Sequence, residues 1–173
     1  IMQAAIAAQV KITALPGANA VLPALQLSGL PAYPFYFGGF LPTRSKARKD
    51  QFTALKSLEA TLVFYEAPHR IRETLADAAS VFGDARHAAV VREISKKFEE
   101  ARRDTLHALH QFYSREDARG EIVLVIEGAK AGQKWDEETV RATLAEALKS
   151  GAPFREAVVI VAVGFRAQGG MDA

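Results

Sequence analysis

The sequence has no cysteine, a single tryptophan and no apolar run near the roughly 20 residues that a membrane-spanning helix needs. The lack of cysteine excludes disulfides, thiolate metal sites and a cysteine nucleophile, and it fits a reducing, cytoplasmic setting. The formal net charge over the 173 residues is only +2. An anionic partner would therefore have to be bound by a local cluster of basic residues, since the overall field is weak.

Helix and strand signals alternate along the chain, which predicts an α/β protein with a mixed sheet. The predicted strands cover residues 10–15, 34–39, 61–65, 87–91 and 121–126. The predicted helices cover residues 2–8, 19–28, 44–58, 68–82 and 106–113, with a further helix from Asp136. The apolar run at 154–165 fits a helix or a strand equally well. We expect three segments: 1–15, the domain 16–130, and a linker with a helical extension at 131–173.

Two short stretches place polar groups where predicted strands end. In LPGANA, residues 15–20, a Pro-Gly turn leads into a helix start, whose free N–H groups can bind a carboxylate or the polar edge of a cofactor. In FYEAPHR, residues 64–70, a strand runs into Glu66, His69 and Arg70. Ligands of α/β proteins commonly bind at such strand ends. The alternative for both stretches is an ordinary turn followed by a solvated first helical turn.

Two charged stretches complete the set of candidates. VREISKKFEE places Arg92 and Glu93 at the end of a third strand, although a solvated charged loop explains the stretch equally well. TRSKARKD, residues 43–50, concentrates basic residues just after the aromatic run FYFGGF. Basic charge beside aromatic rings suits RNA phosphates and stacked bases, whereas the alternative is a soluble helix start. The basic candidates for RNA binding are Arg44, Lys46, Arg48 and Lys49.

The order of these stretches resembles one protein family. LPGANA, SGLP, FYFGGFLP, TLVFYEAPHR, VREISKKFEE and GEIVLVIEG follow one another as in the small-subunit ribosomal RNA cytidine 2′-O-methyltransferases, which are tetrapyrrole-methylase-like enzymes. The resemblance covers about residues 1–130. It implies the second domain of such an enzyme, and residues 1–15 resemble the last helix and strand of a first domain whose glycine-rich loops are not in this chain. We therefore expect part of a longer protein, inactive alone.

The resemblance implies S-adenosyl-L-methionine as the cofactor, no metal, small-subunit ribosomal RNA or the small ribosomal subunit as partner, and a homodimer. The residues implied to line this domain's side of the cofactor pocket follow the three motifs. They are Pro16, Gly17, Ala18, Asn19, Ala20, Phe64, Tyr65, Glu66, Pro68, His69, Arg92, Glu93, Ser95 and Lys96. Candidate acceptors of the ribose proton are Glu66, His69 and Glu93, and a positional mechanism with water as acceptor is equally compatible.

Two alternatives remain open at this stage. The chain may act as a non-catalytic module that binds RNA or supplies a dimer surface, because half a pocket cannot bury a cofactor. Alternatively, the same fold may act on a tetrapyrrole or a modified protein side chain, although FYEAPHR and REISKKFEE are characteristic of the RNA-modifying branch. The sequence also departs from the family, since Ala18-Asn19-Ala20 replaces the usual Pro-Ser-Ala and Ser95 replaces a common threonine.

Overall fold

The computed structural model describes residues 1–14, 16–130, 137–149, 153–154 and 158. The strands are β1 (Phe35–Phe40), β2 (Thr61–Glu66), β3 (His87–Arg92), β4 (Glu100–Thr105) and β5 (Ile122–Ile126). The α-helices are α1 (Met2–Ala7), α2 (Val21–Ser28), α3 (Ser45–Ala54), α4 (Ile71–Phe82), α5 (Leu106–Tyr113) and α6 (Glu137–Lys149). One 3₁₀ turn, Pro68–Arg70, leads into α4.

The five strands form one mixed sheet in the order β1-β2-β5-β3-β4. β1 and β2 are parallel, as their connection through α3 requires, and every other neighbouring pair is antiparallel. The predicted mixed α/β fold is therefore confirmed. Among the described helices, none combines the length and the apolar composition of a membrane span.

Helices cover both faces of the sheet, so the central strands are apolar on each side. One face packs against α3, α4 and α5 through residues such as Phe64, Val90 and Leu124. The opposite face packs against α2 through residues such as Val63 and Val91. All five residues of β5 are buried for this reason, which explains the uninterrupted sequence IVLVI.

Local signals set the ends of the helices. The side chain of Thr105 accepts a hydrogen bond from the N–H of Ala108 and caps α5. Gly83 ends α4 with a φ of +95°, a conformation that glycine adopts without steric cost. These two ends lie where the sequence places them.

Three sequence-based predictions need correction. Residues 10–14 form no strand: they are exposed and pair with none of the five strands in the described part of the chain, and α1 before them has no buried residue. α3 ends at Ala54 instead of continuing to residue 58, because tight turns follow it. The segment Glu100–Thr105, expected as a charged loop, is the edge strand β4. Because this edge strand is partly exposed along its length, it carries charged side chains and lacks the alternation of apolar and polar residues that predicts a strand.

The C-terminal predictions are tested only in part. The predicted helix after Asp136 is present as Glu137–Lys149. Asp136 itself, the linker 131–136 and most of the apolar run 154–165 lie outside the described residues.

Candidate functional site

Three strand ends lie side by side at one edge of the sheet. Glu66, the last residue of β2, pairs with Ile122, the first residue of β5. Arg92, the last residue of β3, pairs with the same Ile122 from the other side. Since β5 runs antiparallel to both neighbours, its start lies between their ends. Motifs that are distant in the sequence therefore meet at one edge of the sheet.

A cleft of about 660 Å³ opens at this edge. Its volume lies within the roughly 300–1,000 Å³ that small-molecule sites usually have. Five segments line it: the start of α2, the end of β1, the end of β2, the loop after β3 and the start of β5. The lining residues that the sequence predicted are Ala18, Asn19, Ala20, Tyr65, Glu66, Pro68 and Ser95. Each of the three motifs thus contributes residues to one cleft.

In the turn before α2, the residues that line the cleft are Ala18, Asn19 and Ala20. The Oδ1 atom of Asn19 accepts the N–H of Val21, the first residue of α2, at 2.7 Å. Ala20 holds the N-cap position, and no side-chain hydrogen bond caps the helix. Because Val21 is bonded to Asn19 and Pro23 has no N–H, the first turn of α2 keeps the N–H of Leu22, and the preceding Ala18 and Ala20 line the cleft. Pro16 and Gly17 are exposed and do not line it. Their contribution is the direction in which the chain enters α2.

Tyr65 presents an aromatic surface to the cleft, with two rings of β1 around it. The ring centroids of Phe37 and Phe40 lie 5.0 and 5.3 Å from that of Tyr65. Phe40 is 70% exposed and also lines the cleft. Phe64 alternates to the opposite face, where it is fully buried against Phe52. The prediction that Phe64 lines the cofactor pocket is therefore wrong, because neighbouring strand residues point to opposite faces.

The carboxylate of Glu66 is buried and fully hydrogen-bonded, whereas its backbone lies at the cleft. Its Oε1 accepts from the N–H of Ala67 at 2.7 Å and contacts the guanidinium of Arg70. Its Oε2 accepts from the hydroxyl of Thr74 at 2.6 Å. The carboxylate thereby links Ala67, the residue before the 3₁₀ turn, and Arg70, its last residue, to Thr74 of α4. The arrangement contradicts the candidacy of Glu66 as a proton acceptor.

Pro68 lines the cleft, and its neighbour His69 does not. His69 is exposed on the 3₁₀ turn, one residue away from the lining. Of the three candidate proton acceptors, it is the one whose side chain forms no ion pair within the described part of the chain. It therefore stays a candidate by position.

Arg92 points away from the cleft. Its side chain shares the face of Val90 and pairs with Glu100, with Nε and Nη2 each 2.6 Å from Oε2. Burial acts to raise the pKa of Glu100, but hydrogen bonds from Arg92 and Arg102 outweigh that effect and lower it. Arg92 is thus committed to an ion-pair cluster beneath β4, and the prediction that it lines the pocket is wrong.

Beyond Arg92, the loop turns so that Ile94 and Ser95 line the cleft while Glu93 and Lys96 lie outside it. The ammonium of Lys96 is 3.0 Å from a carboxylate oxygen of both Glu93 and Glu121. A hydrogen bond from the N–H of Glu121 and the contact with Lys96 lower the pKa of Glu93, and the same contact raises the pKa of Lys96. A carboxylate with a lowered pKa is a weaker base, which argues against Glu93 as proton acceptor.

The basic segment divides into exposed and buried residues. Arg44 and Lys46 are exposed at the start of α3, and Lys49 is half-exposed and lies 3.3 Å from Asp77. Arg48 is fully buried and paired with Asp77 at 2.6 Å. Arg48 cannot contact a phosphate from this position, so the prediction of an RNA-binding role for Arg48 is wrong. The exposed pair lies shortly after the cleft residue Phe40.

Several lining residues were not predicted from the sequence. They are Pro23, Phe40, Ala67, Ile94, Gly120, Glu121, Ile122 and Val123. For Gly120, Glu121, Ile122 and Val123, the sequence signal was the glycine that precedes the apolar strand β5. Only the antiparallel pairing of β5 with β2 and β3 brings that strand start to the cleft, and the sequence does not specify this pairing. No group of three or more possible metal ligands occurs among the residues that the structure describes.

Sequence comparison relates this chain to named proteins. Residues 1–110 match the family model of tetrapyrrole (corrin/porphyrin) methylases. A relative from Bacillus subtilis named "Ribosomal RNA small subunit methyltransferase I" is 40% identical over 158 residues, covering 88% of this chain and 54% of the relative. A relative of the same name from Xylella fastidiosa is 44% identical over 131 residues, covering 75% and 48%. The chain thus spans about half the length of these curated relatives.

Solved structures support the fold. Diphthine synthase aligns with a TM-score of 0.54 at 17% identity, covering 73% of this chain and 52% of that one. The methyltransferase CobJ aligns with a TM-score of 0.52 at 17% identity, covering 78% and 59%. At such identities the likeness concerns the fold alone. Together with the matched residues, it shows that the chain belongs to the family of tetrapyrrole (corrin/porphyrin) methylases.

Proposed function

We propose that this chain forms one side of the cofactor cleft of an S-adenosylmethionine-dependent methyltransferase that modifies a cytidine ribose 2′-oxygen in small-subunit ribosomal RNA. The observation that carries the proposal is the meeting of three motifs, at Ala18–Ala20, Tyr65–Pro68 and Ile94–Ser95, around one cleft of about 660 Å³. The names of the relatives support the RNA substrate. We expect the protein to act in the cytoplasm as a homodimer.

The lining fits such a cofactor. Apolar groups from Pro23, Ile94 and Val123 suit an adenosine moiety, and Tyr65 offers an aromatic face. The free N–H of Leu22 and the positive end of the α2 dipole suit the carboxylate of the methionine moiety. When bound, the cofactor supplies an electrophilic methyl group on a positively charged sulfur. This chain's residues would hold it and orient it toward the RNA.

The proton of the ribose hydroxyl must leave during the transfer. Glu66 is enclosed by its partners, and Glu93 is held by Glu121 and Lys96. We therefore assign the proton either to water or to the exposed imidazole of His69, which follows the cleft residue Pro68. In either case, alignment of the two reactants accounts for most of the acceleration.

RNA would approach across the surface next to the cleft. Arg44 and Lys46 are exposed at the start of α3 and suit phosphate contacts. The ring of Phe40, which lines the cleft and precedes this basic pair in the sequence, is exposed and suits stacking on an unpaired base. Lys49 contributes less, since Asp77 already balances its charge.

Calorimetry with S-adenosylhomocysteine tests the cofactor proposal. The variant Ala18→Trp places a large ring in the cleft and should weaken binding at least about tenfold, or by more than 1.4 kcal/mol. The matched control is Ala8→Trp, at an exposed residue outside the cleft, and it should bind as the wild type does. The measurement uses the full-length protein, in which absence of binding to the wild type, or equal affinities of the two variants, would overturn the proposal.

The substrate is tested by incubating the full-length protein with small ribosomal subunits and a radiolabelled methyl donor. A methyl group on the ribose oxygen protects the adjacent phosphodiester from alkaline hydrolysis, because that oxygen is the attacking group. The expected product is one alkali-resistant dinucleotide with cytidine on its 5′ side. Label on a base would contradict the proposed target, while label on an added tetrapyrrole would favour the alternative substrate class.

A non-catalytic role has one observation in its favour. The edge strand β1 exposes the rings of Phe35, Tyr36 and Phe37 to solvent, and such a surface commonly contacts another polypeptide. RNA binding by a chain that does not bind S-adenosylhomocysteine would favour this module over the enzyme.

A further inference from the structure

The loop after β3 has an unusual backbone. Glu93 and Ser95 adopt φ angles of +52° and +62°, which residues other than glycine rarely do. Ser95 and the intervening Ile94 line the cleft. Left-handed conformations of this kind persist only where surrounding contacts hold them. The contacts that hold this loop therefore determine the shape of the cleft.

The carboxylate of Glu93 makes the central contacts. Its Oε1 accepts a hydrogen bond from the N–H of Glu121 at 3.0 Å and another from the ammonium of Lys96 at 3.0 Å. The N–H of Glu93 in turn donates to the carbonyl oxygen of Glu121 at 3.0 Å. Lys96 also reaches Oε2 of Glu121 at 3.0 Å. The loop after β3 is thus tied to the residue that precedes β5.

Gly120 provides the space that this carboxylate occupies. A Cβ atom on Gly120 would lie 2.3 Å from Oε1 of Glu93 and 2.4 Å from its Cδ. Any larger residue at position 120 would displace the carboxylate. The positive φ of Gly120, +82°, also favours glycine. Gly120 and Glu93 therefore form an interlocking pair beside the cleft.

We propose that Glu93 is a positioning residue whose carboxylate, seated against Gly120 and bonded to the N–H of Glu121, holds Ile94 and Ser95 in the cofactor cleft. This inference rests on the proposed cofactor function and assigns Glu93 a role other than proton transfer. Lys96 supports it because its ammonium lies 3.0 Å from a carboxylate oxygen of both Glu93 and Glu121 and so reduces the repulsion between them. The N–H of Glu121 and the ammonium of Lys96 lower the pKa of Glu93, so this carboxylate stays charged to a lower pH than an ordinary glutamate.

A double-mutant cycle tests the interlocking pair. Gly120→Ala should lower the midpoint of thermal unfolding more than Gly83→Ala, because both glycines have a positive φ but only Gly120 has a neighbour within 4 Å. In a Glu93→Ala background the extra loss at position 120 should largely disappear, since the carboxylate is no longer in the way. Additive effects of Gly120→Ala and Glu93→Ala would overturn the pairing.

Positioning is tested by affinity and by amide hydrogen exchange in the same variants. Glu93→Ala should weaken S-adenosylhomocysteine binding about tenfold. It should also speed exchange at Ser95 and Lys96, whose N–H groups donate to Glu99 and to the Glu93 carbonyl in the folded loop. Glu93→Gln, which still accepts from Glu121, should lose less than about threefold in affinity. Unchanged exchange in Glu93→Ala, or equal losses in the alanine and glutamine variants, would overturn the positioning role. Failure of the wild-type full-length protein to bind would instead overturn the proposed function, and the exchange data and the cycle would still decide whether Glu93 holds the loop.

Discussion

The guanidinium of Arg48 lies 2.6 Å from the carboxylate of Asp77, inside the contact between α3 and α4. Its Nε donates to the same oxygen at 2.8 Å, and its Nη1 donates to the carbonyl of Pro42 at 3.1 Å. Asp77 also accepts from the hydroxyl of Ser45 at 2.9 Å. Arg48 therefore joins the loop before α3, the start of α3 and the middle of α4.

Removing Arg48 should destabilise the fold strongly. Arg48→Ala leaves Asp77 buried next to a cavity, and breaking a buried ion pair in this way typically costs about 3–5 kcal/mol. The measurement is the free energy of unfolding in urea. Lys46→Ala, at an exposed residue of the same helix, should change it by less than about 0.5 kcal/mol. Equal effects of the two variants would show that Arg48 is solvated.

Glu66 should prove to be a structural residue. Glu66→Gln places an NH₂ group against the donors Ala67, Arg70 or Thr74, and an unmatched buried group costs about 1–3 kcal/mol. The expected result is a lower free energy of unfolding with the rate constant of the chemical step unchanged per folded molecule, measured by urea titration and single-turnover assay. The control is Glu59→Gln, the same change at an exposed residue. A loss of chemical rate without loss of stability would restore Glu66 as a proton acceptor.

The sequence predicted the strands and helices well where their apolar patterns are strong. β5 and α5 were found almost to the residue, because a buried apolar run and a clear helical period leave few alternatives. β4 was missed because it lies at the sheet edge and alternates charged side chains between partly exposed positions. The segment 10–14 was wrongly predicted as a strand because an apolar pattern does not reveal whether a neighbouring strand is available.

The site was predicted at the level of motifs and less well at the level of side chains. The strand ends meet as expected, because residues that follow strands collect at a sheet edge. Phe64 and Arg92 were assigned to the cleft although strand alternation turns them to the other face. Arg48 shows the same limit: an arginine within a basic run can be buried when a carboxylate such as Asp77 lies on the next helix.

Reversing the exposed basic pair should weaken RNA binding without affecting the cofactor. The double variant Arg44→Glu/Lys46→Glu removes two phosphate contacts, so the slope of log affinity against log salt should fall by about 0.7 for each contact with single-stranded RNA. A ribosomal RNA fragment is titrated at several salt concentrations. Lys49 is left unchanged because its reversal would also repel Asp77.

The control for this experiment is Lys11→Glu, the same charge change at an exposed residue outside the basic segment. It should leave the salt slope unchanged, and all variants should bind S-adenosylhomocysteine equally. A salt slope of the Arg44/Lys46 double variant that equals the wild-type slope would show that RNA approaches over another surface.

Acidification should release the loop that Glu93 holds. The N–H of Glu121 and the ammonium of Lys96 favour the charged carboxylate and lower its pKa in the folded state. A carboxylate with a lowered folded pKa stabilises the fold above its unfolded pKa, and this contribution is lost as the pH falls through the folded pKa. The Glu93 side-chain ¹³C shift should therefore titrate below the usual glutamate range. The Glu121 N–H donates to this carboxylate, so its protection, taken relative to the intrinsic exchange rate at each pH, should fall over the same interval. Lys96→Met should move the midpoint only part of the way up, because the larger effect, from the Glu121 N–H, remains. A wild-type midpoint within or above the ordinary range would contradict the hydrogen bonding on which the loop depends.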